Sequence, residues 1–199
     1  MNKEQFELKR EKDRMLDYFL DELKRQCEYS FISLKNLEYS VNDNKNGAEI
    51  IFYNLHNLFT NLGNISKILY PTRAYSVRGK QLRELLQIKA DSQFDSRKER
   101  NVLRNYRNIM EHYDEYFEDW YNKNKNANIF DSIVGPDNMI IDNGFNAKCL
   151  RHFNPYEFKF VHLDKEYKMK QVVHETYELY NKILRIKEVG MVAITREWY

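Results

Sequence analysis

The sequence predicts a mainly α-helical protein, an antiparallel bundle of four to five helices with a small β-containing insert before the last helix. Three observations carry this. Apolar residues recur every three or four positions over long runs, and only three prolines and six glycines in 199 residues interrupt them. Between about residues 129 and 166 that spacing gives way to short stretches of partial alternation. The length suits one domain spanning 1–199, with a core that the 15 tyrosines and 12 phenylalanines can fill.

Leu16, Leu20, Leu23, Cys27, Phe31, Leu34, Leu37 and Val41 lie on one helical face, which predicts a first helix over residues 4–41. The turn-forming run VNDNKNG ends it. Ile51, Leu55, Leu58, Leu62, Ile65 and Leu69 then repeat the spacing up to Pro71 and predict a second helix. A shorter third helix is expected over about Val77–Lys89, with Ser76 as its N-cap. Ser96 and Glu99 have the spacing of a capping box, in which hydroxyl and carboxylate satisfy each other's orphan backbone donors. A long fourth helix is expected from there to the polar run NKNKNAN, its core side being Val102, Tyr106, Ile109, Tyr113, Tyr116 or Phe117, and Trp120. The stretches IFDSIVG, MIID and YEFKFVHL, with a turn at Asn143-Gly144, predict short strands. Val173, Tyr177, Tyr180 and Leu184 mark the last helix, and VGMVAITREWY reads as a strand or a loosely docked tail.

Several classes are disfavoured by composition. A net charge of +2 gives no global field that gathers nucleic acid, so any such contact needs a local patch. Cys27 and Cys149 have neither redox nor metal spacing, which fits a reducing compartment. The charged start MNKEQFELKREKDR lacks the apolar core of a secretory signal, and no run approaches membrane-spanning length, so a cytoplasmic location without membrane contact is expected. Cys149, His152, His162 and Asp164 match no zinc-finger spacing. His56 and His174 fall beside core positions and read as satisfied or surface histidines. There is no glycine-rich phosphate loop, serine elbow or metalloprotease histidine pair.

The fourth helix is where chemistry concentrates. Asn108 and His112 stack one turn apart, with Arg104 a turn earlier, away from the core stripe. Arg107 lies about 140° from His112 around an ideal axis, so the two converge only through a second copy or a wrapped arginine stem. Arg107 is also placed to pair with Glu111. Lys98, Arg100, Arg104 and Arg107, with Arg73, Arg78, Lys80 and Arg83, can form a phosphate-binding patch or a solvated face.

The stretch Arg107-Asn108-x-x-x-His112 resembles the R-[polar]-x-x-x-H signature of the HEPN superfamily, helical-bundle domains that include toxin and phage-defence nucleases. The resemblance implies a metal-independent endoribonuclease without cofactor, acting as a homodimer whose motif helices face each other. It implies Arg107 as the phosphate-binding arginine, His112 as the catalytic histidine and Asn108 as the assisting polar residue; Arg104 and Arg100 of the basic segment are the RNA-binding candidates. It also implies an antitoxin or regulatory protein partner. Histidine titrates near neutrality and arginine matches phosphate oxygens, which suits attack by RNA's own 2′-hydroxyl. A non-catalytic bundle of this shape, binding protein or nucleotide, is the alternative.

Overall fold

The computed structural model describes residues 3–43, 47–95, 97, 102–139 and 147–196. Six helices dominate: α1 (Lys3–Asn42), α2 (Ala48–Leu69), α3 (Ser76–Leu85), α4 (Val102–Glu111), α5 (Tyr113–Asn124) and α6 (Lys170–Arg196). Between α5 and α6 lie six short strands: β1 (Asn128–Phe130), β2 (Ile133–Val134), β3 (Ala147–Cys149), β4 (Arg151–Asn154), β5 (Lys159–His162) and β6 (Lys165–Lys168). No helix among the described residues is long and apolar enough to cross a membrane.

The first two helices follow the expected spacing closely. Leu20, Leu23, Cys27 and Leu37 of α1 are buried against Leu55, Leu58, Leu62 and Ile65 of α2 in a common core. Small polar residues let the two backbones approach: Ser30, Ser33 and Ser40 are buried and each hydroxyl donates to the carbonyl four residues back. Asn64 reaches Gln26 and Asn61 reaches Ser33, so α2 runs antiparallel to α1. On another side of α1, Tyr180 donates to Glu28 at 3.1 Å, Lys187 pairs with Asp21, and Tyr177 stacks on Phe31 at 4.3 Å. Those pairs fix α6 antiparallel to α1 as well.

Four expectations change. The third helix stops at Leu85, because Leu86 and Gln87 leave helical geometry, Gln87 with φ of 49°. Ser76 is its first residue rather than its cap; Tyr75 takes the cap position, and a 3₁₀ turn over Arg73–Tyr75 precedes it. The buried stripe of α6 is Val172, Thr176, Leu179 and Ile183, one position away from the residues whose apolar character marked it. Thr176 is admissible there because its hydroxyl donates to the Val172 carbonyl at 2.8 Å. The segment after Glu188 continues α6 to Arg196 instead of forming a strand or tail. The Ser96–Glu99 capping box and the Asn143-Gly144 turn lie outside the described residues.

β2, β4, β5 and β6 form one sheet in that order, with β2 and β4 parallel and the other pairs antiparallel; β1 and β3 pair separately in parallel. In the register, Phe160 opposes Tyr167 and Arg151 opposes His162, which puts these side chains on one face. That face packs on α2 and α4: Phe59 stacks on Tyr106 at 4.1 Å, and Tyr106 meets Tyr167 edge-on at 5.6 Å. Leu163 and Asp164 link β5 to β6 with φ of 50° and 59°, and Trp120 of α5 donates to Asp164 at 2.9 Å. The sheet is thereby tied to both halves of the region that carries the motif.

Candidate functional site

The expected long fourth helix is two helices that meet at His112. Its φ of −127° and ψ of 41° leave the helical region, although its N–H still donates to the Asn108 carbonyl at 3.1 Å and its carbonyl accepts from Tyr116 N–H at 3.1 Å. The first bond closes α4 and the second opens α5, so the helix breaks between them without a proline or glycine. His112 occupies the N-cap position of α5, but its side chain makes no capping bond. The imidazole is thus left outside the core, 59% exposed, with Nδ1 3.9 Å from Glu115 Oε1.

Asn108 and His112 line one open depression of about 500 Å³ with Glu115, Tyr116 and Asp119. Lys165 of β6 sits over the Tyr116 ring at 4.6 Å, which brings a cation to the rim that spacing on the helix does not reveal. Carboxylates otherwise surround the histidine, since Glu111, Asp114, Glu115 and Asp119 are all exposed nearby in sequence.

Arg107 goes elsewhere. It lines a small groove of about 90 Å³ between α2 and α4, together with His56, Thr60 and Lys67. Its Nε lies 3.4 Å from Glu111 Oε1, the i,i+4 pairing expected of this sequence. One chain therefore presents Asn108 with His112 in one depression and Arg107 in another. Arg104 is half-buried on α4, and Arg100 lies outside the described residues, as does Lys98. Arg78 and Arg83 are occupied by packing: Arg78 covers the Phe19 ring at 4.1 Å, and Arg83 covers Tyr70 at 4.6 Å while donating to the Leu69 carbonyl.

A second grouping escapes sequence reasoning. His56 of α2, Tyr106 of α4, Arg151 of β4 and His162 of β5 meet around one cavity of about 640 Å³. His56 Nδ1 is 3.0 Å from the Tyr106 hydroxyl. Arg151 holds Asp131 through Nε at 2.8 Å and through Nη2. His162 is 3% exposed, and burial beside the Arg151 cation pushes it down to about 4, so its ring is neutral at physiological pH. The only hint of this in the sequence is its high tyrosine content, 15 in 199 residues, with His56 beside a core position. The Cys149, His152, His162 and Asp164 set does not converge: Cys149 donates to the Arg151 carbonyl, His152 bonds the Gly135 carbonyl and Asp164 accepts from Trp120. No group of three or more potential ligands close enough for a metal ion occurs among the described residues.

Comparison of the chain with family models, with curated proteins and with solved structures finds no match, so the functional reading rests on these residues.

Proposed function

We propose that the chain is a metal-independent endoribonuclease of the toxin or phage-defence type, HEPN-like, working as a cytoplasmic homodimer restrained by an antitoxin or regulatory protein. In this reading α1, α2, α4, α5 and α6 are the four- to five-helix bundle that carries the motif. The observation that supports it is the placement of His112: at a helix junction, exposed, free of capping duty and beside Asn108. A neutral imidazole accepts the 2′-hydroxyl proton as the 2′-oxygen bonds to phosphorus. The bond to the 5′-oxygen breaks, and a second imidazole, protonated, gives that oxygen its proton. One histidine does not serve both sides of one phosphate, and a two-fold dimer supplies the other. Arg107 answers the charge that builds on the phosphorane, reaching the phosphate across the dimer cleft with Arg104 and Arg100 along the strand.

The carboxylates around His112 favour a second reading, a non-catalytic module that binds protein or nucleotide, because they repel a phosphate backbone. End-group analysis separates the two. Incubation of a structured RNA with the chain and EDTA is expected to yield fragments ending in 2′,3′-cyclic phosphate. Intact RNA, or fragments ending in 3′-hydroxyl, contradicts the nuclease mechanism.

A further inference from the structure

α1 is apolar on three sides, and only two of them are covered. Leu20, Leu23, Cys27 and Leu37 pack toward α2, while Phe31 and Glu28 meet α6. On the third side Met15, Tyr18, Tyr29, Ile32 and Tyr39 are all exposed, from 40% at Met15 to 68% at Tyr39. A helix that is apolar all round is ordinarily buried, and a contiguous apolar strip on a surface marks an interaction site. With Glu22, Arg25 and Asn36 these five fill every step of a three-four repeat from Met15 to Tyr39, the seam of a two-stranded coiled coil. Met15, Glu22, Tyr29 and Asn36 take its a positions, and Tyr18, Arg25, Ile32 and Tyr39 its d positions. At 1.5 Å per residue the seam is about 36 Å long.

The make-up of the seam says what covers it. When two copies lie antiparallel, each a residue faces a d residue of the other, and a two-fold axis makes every such pair occur twice. An axis between Glu22 and Arg25 sets Met15 against the partner's Ile32, Tyr18 against the partner's Tyr29, and Glu22 against the partner's Arg25. Apolar meets apolar, and the charged layer meets its opposite. Glu22 and Arg25 already bond within the chain at 3.0 Å, so the axis closes them into a ring of four alternating charges. Asn36 and Tyr39 fall against the first turns of the partner helix, which begins at Lys3. Other arrangements fit worse. Sliding the register by one heptad sets Glu22 against Ile32 in one direction and against Tyr18 in the other, and a parallel pair sets Glu22 on Glu22 and Arg25 on Arg25. Like charges at the edges, Asp21 near Glu28 and Arg14 near Lys35, stay on the solvent side, and Asp21 and Glu28 are answered by Lys187 and Lys24.

We propose that the outer face of α1 binds a second copy of the chain as an antiparallel coiled coil, its two-fold axis passing between Glu22 and Arg25. This surface is separate from the one the nuclease reading requires, because none of its residues lines the depression of Arg107 or that of His112. A chain that uses both assembles beyond a dimer.

The test is sedimentation velocity of the full chain over a range of concentrations, with each variant first shown by circular dichroism to keep its helix content. Ile32→Glu is expected to weaken self-association by at least about tenfold, because it sets a carboxylate in an apolar layer. Glu22→Arg and Arg25→Glu are each expected to weaken it about tenfold through like charges across the axis. Mixing those two variants is expected to restore it, since opposite charges then face each other between chains although neither chain regains its internal pair. Tyr18→Cys and Tyr29→Cys chains, mixed under mild oxidant, are expected to form a disulfide-linked pair that neither forms alone. The proposal is overturned if the native chain stays monomeric throughout, which leaves the face to another protein, or if Ile32→Glu associates like the native chain. It is overturned equally if the charge-variant mixture associates no better than its components, or if either cysteine variant links to itself. RNA cleavage is a separate readout: an Ile32→Glu chain that still cuts leaves the nuclease reading intact.

Discussion

The N–H of His112 donates to the carbonyl of Asn108 as the last bond of α4, so the two side chains keep one face although the helix does not continue beyond them. Function and stability are separable here. The His112 ring is exposed and caps nothing, so His112→Ala is expected to change unfolding free energy by less than about 0.5 kcal/mol, the scale of a surface substitution. Urea denaturation checks this. A loss above about 2 kcal/mol would show that the ring has a structural duty, and loss of activity in that variant would then prove nothing about chemistry.

Burial of His162 makes a pH prediction with a definite sign. Its folded pKa, about 4, lies below the ordinary value of 6.5, so the unfolded chain takes up the proton first and stability falls as pH falls through that window. The loss at pH 5 is about 2 kcal/mol, from roughly 1.4 kcal/mol per unit over 1.5 units. His162→Phe keeps a flat ring between Tyr113 and Phe160 and removes the titration. The native chain should lose about 2 kcal/mol more than this variant between pH 7.5 and pH 5. Parallel stability profiles would contradict it.

Gly79 tests whether α3 is held by packing or by propensity. A Cβ there would lie 2.4 Å from Pro71 Cδ and 2.9 Å from the Leu69 carbonyl oxygen. Alanine gains about 1 kcal/mol of intrinsic helix preference. Overpacking of this kind costs roughly 1–3 kcal/mol, and the carbonyl at the end of α2 has little room to yield. Gly79→Ala is therefore expected to lower the unfolding free energy by about 1 kcal/mol or more. A more stable variant would mean that Pro71 moves aside freely.

How far these features are legible in the sequence follows from their range. The stripes of α1 and α2 are local, repeat over many turns, and locate both helices to within a few residues. The break at His112 is invisible because no proline or glycine marks it and the apolar spacing Tyr106, Ile109, Tyr113 runs straight past it. The β5–β6 hairpin is equally silent: Leu163 and Asp164 take positive φ where Asn-Gly would announce a turn, and neighbours hold the pair through the Leu163 N–H to Leu150 carbonyl bond and the Trp120–Asp164 bond. The cavity between α2, α4 and the sheet draws on His56, Tyr106, Arg151 and His162, from four separate elements whose meeting is a property of the tertiary fold. The divergence of Arg107 from His112, in contrast, follows from helix geometry alone, and the chain places them in different depressions.

The nuclease proposal depends on Arg107 and His112 acting on one phosphate across two chains. Its most direct test is cleavage of a structured RNA in EDTA by the native chain, by Arg107→Ala and by His112→Ala, each first shown to be folded and of one oligomeric state. The native protein is expected to cut. Each variant is expected to lose at least about a hundredfold in rate, the lower end of what one acid-base group contributes. Equal cleavage by all three, or none by any, would contradict the proposal.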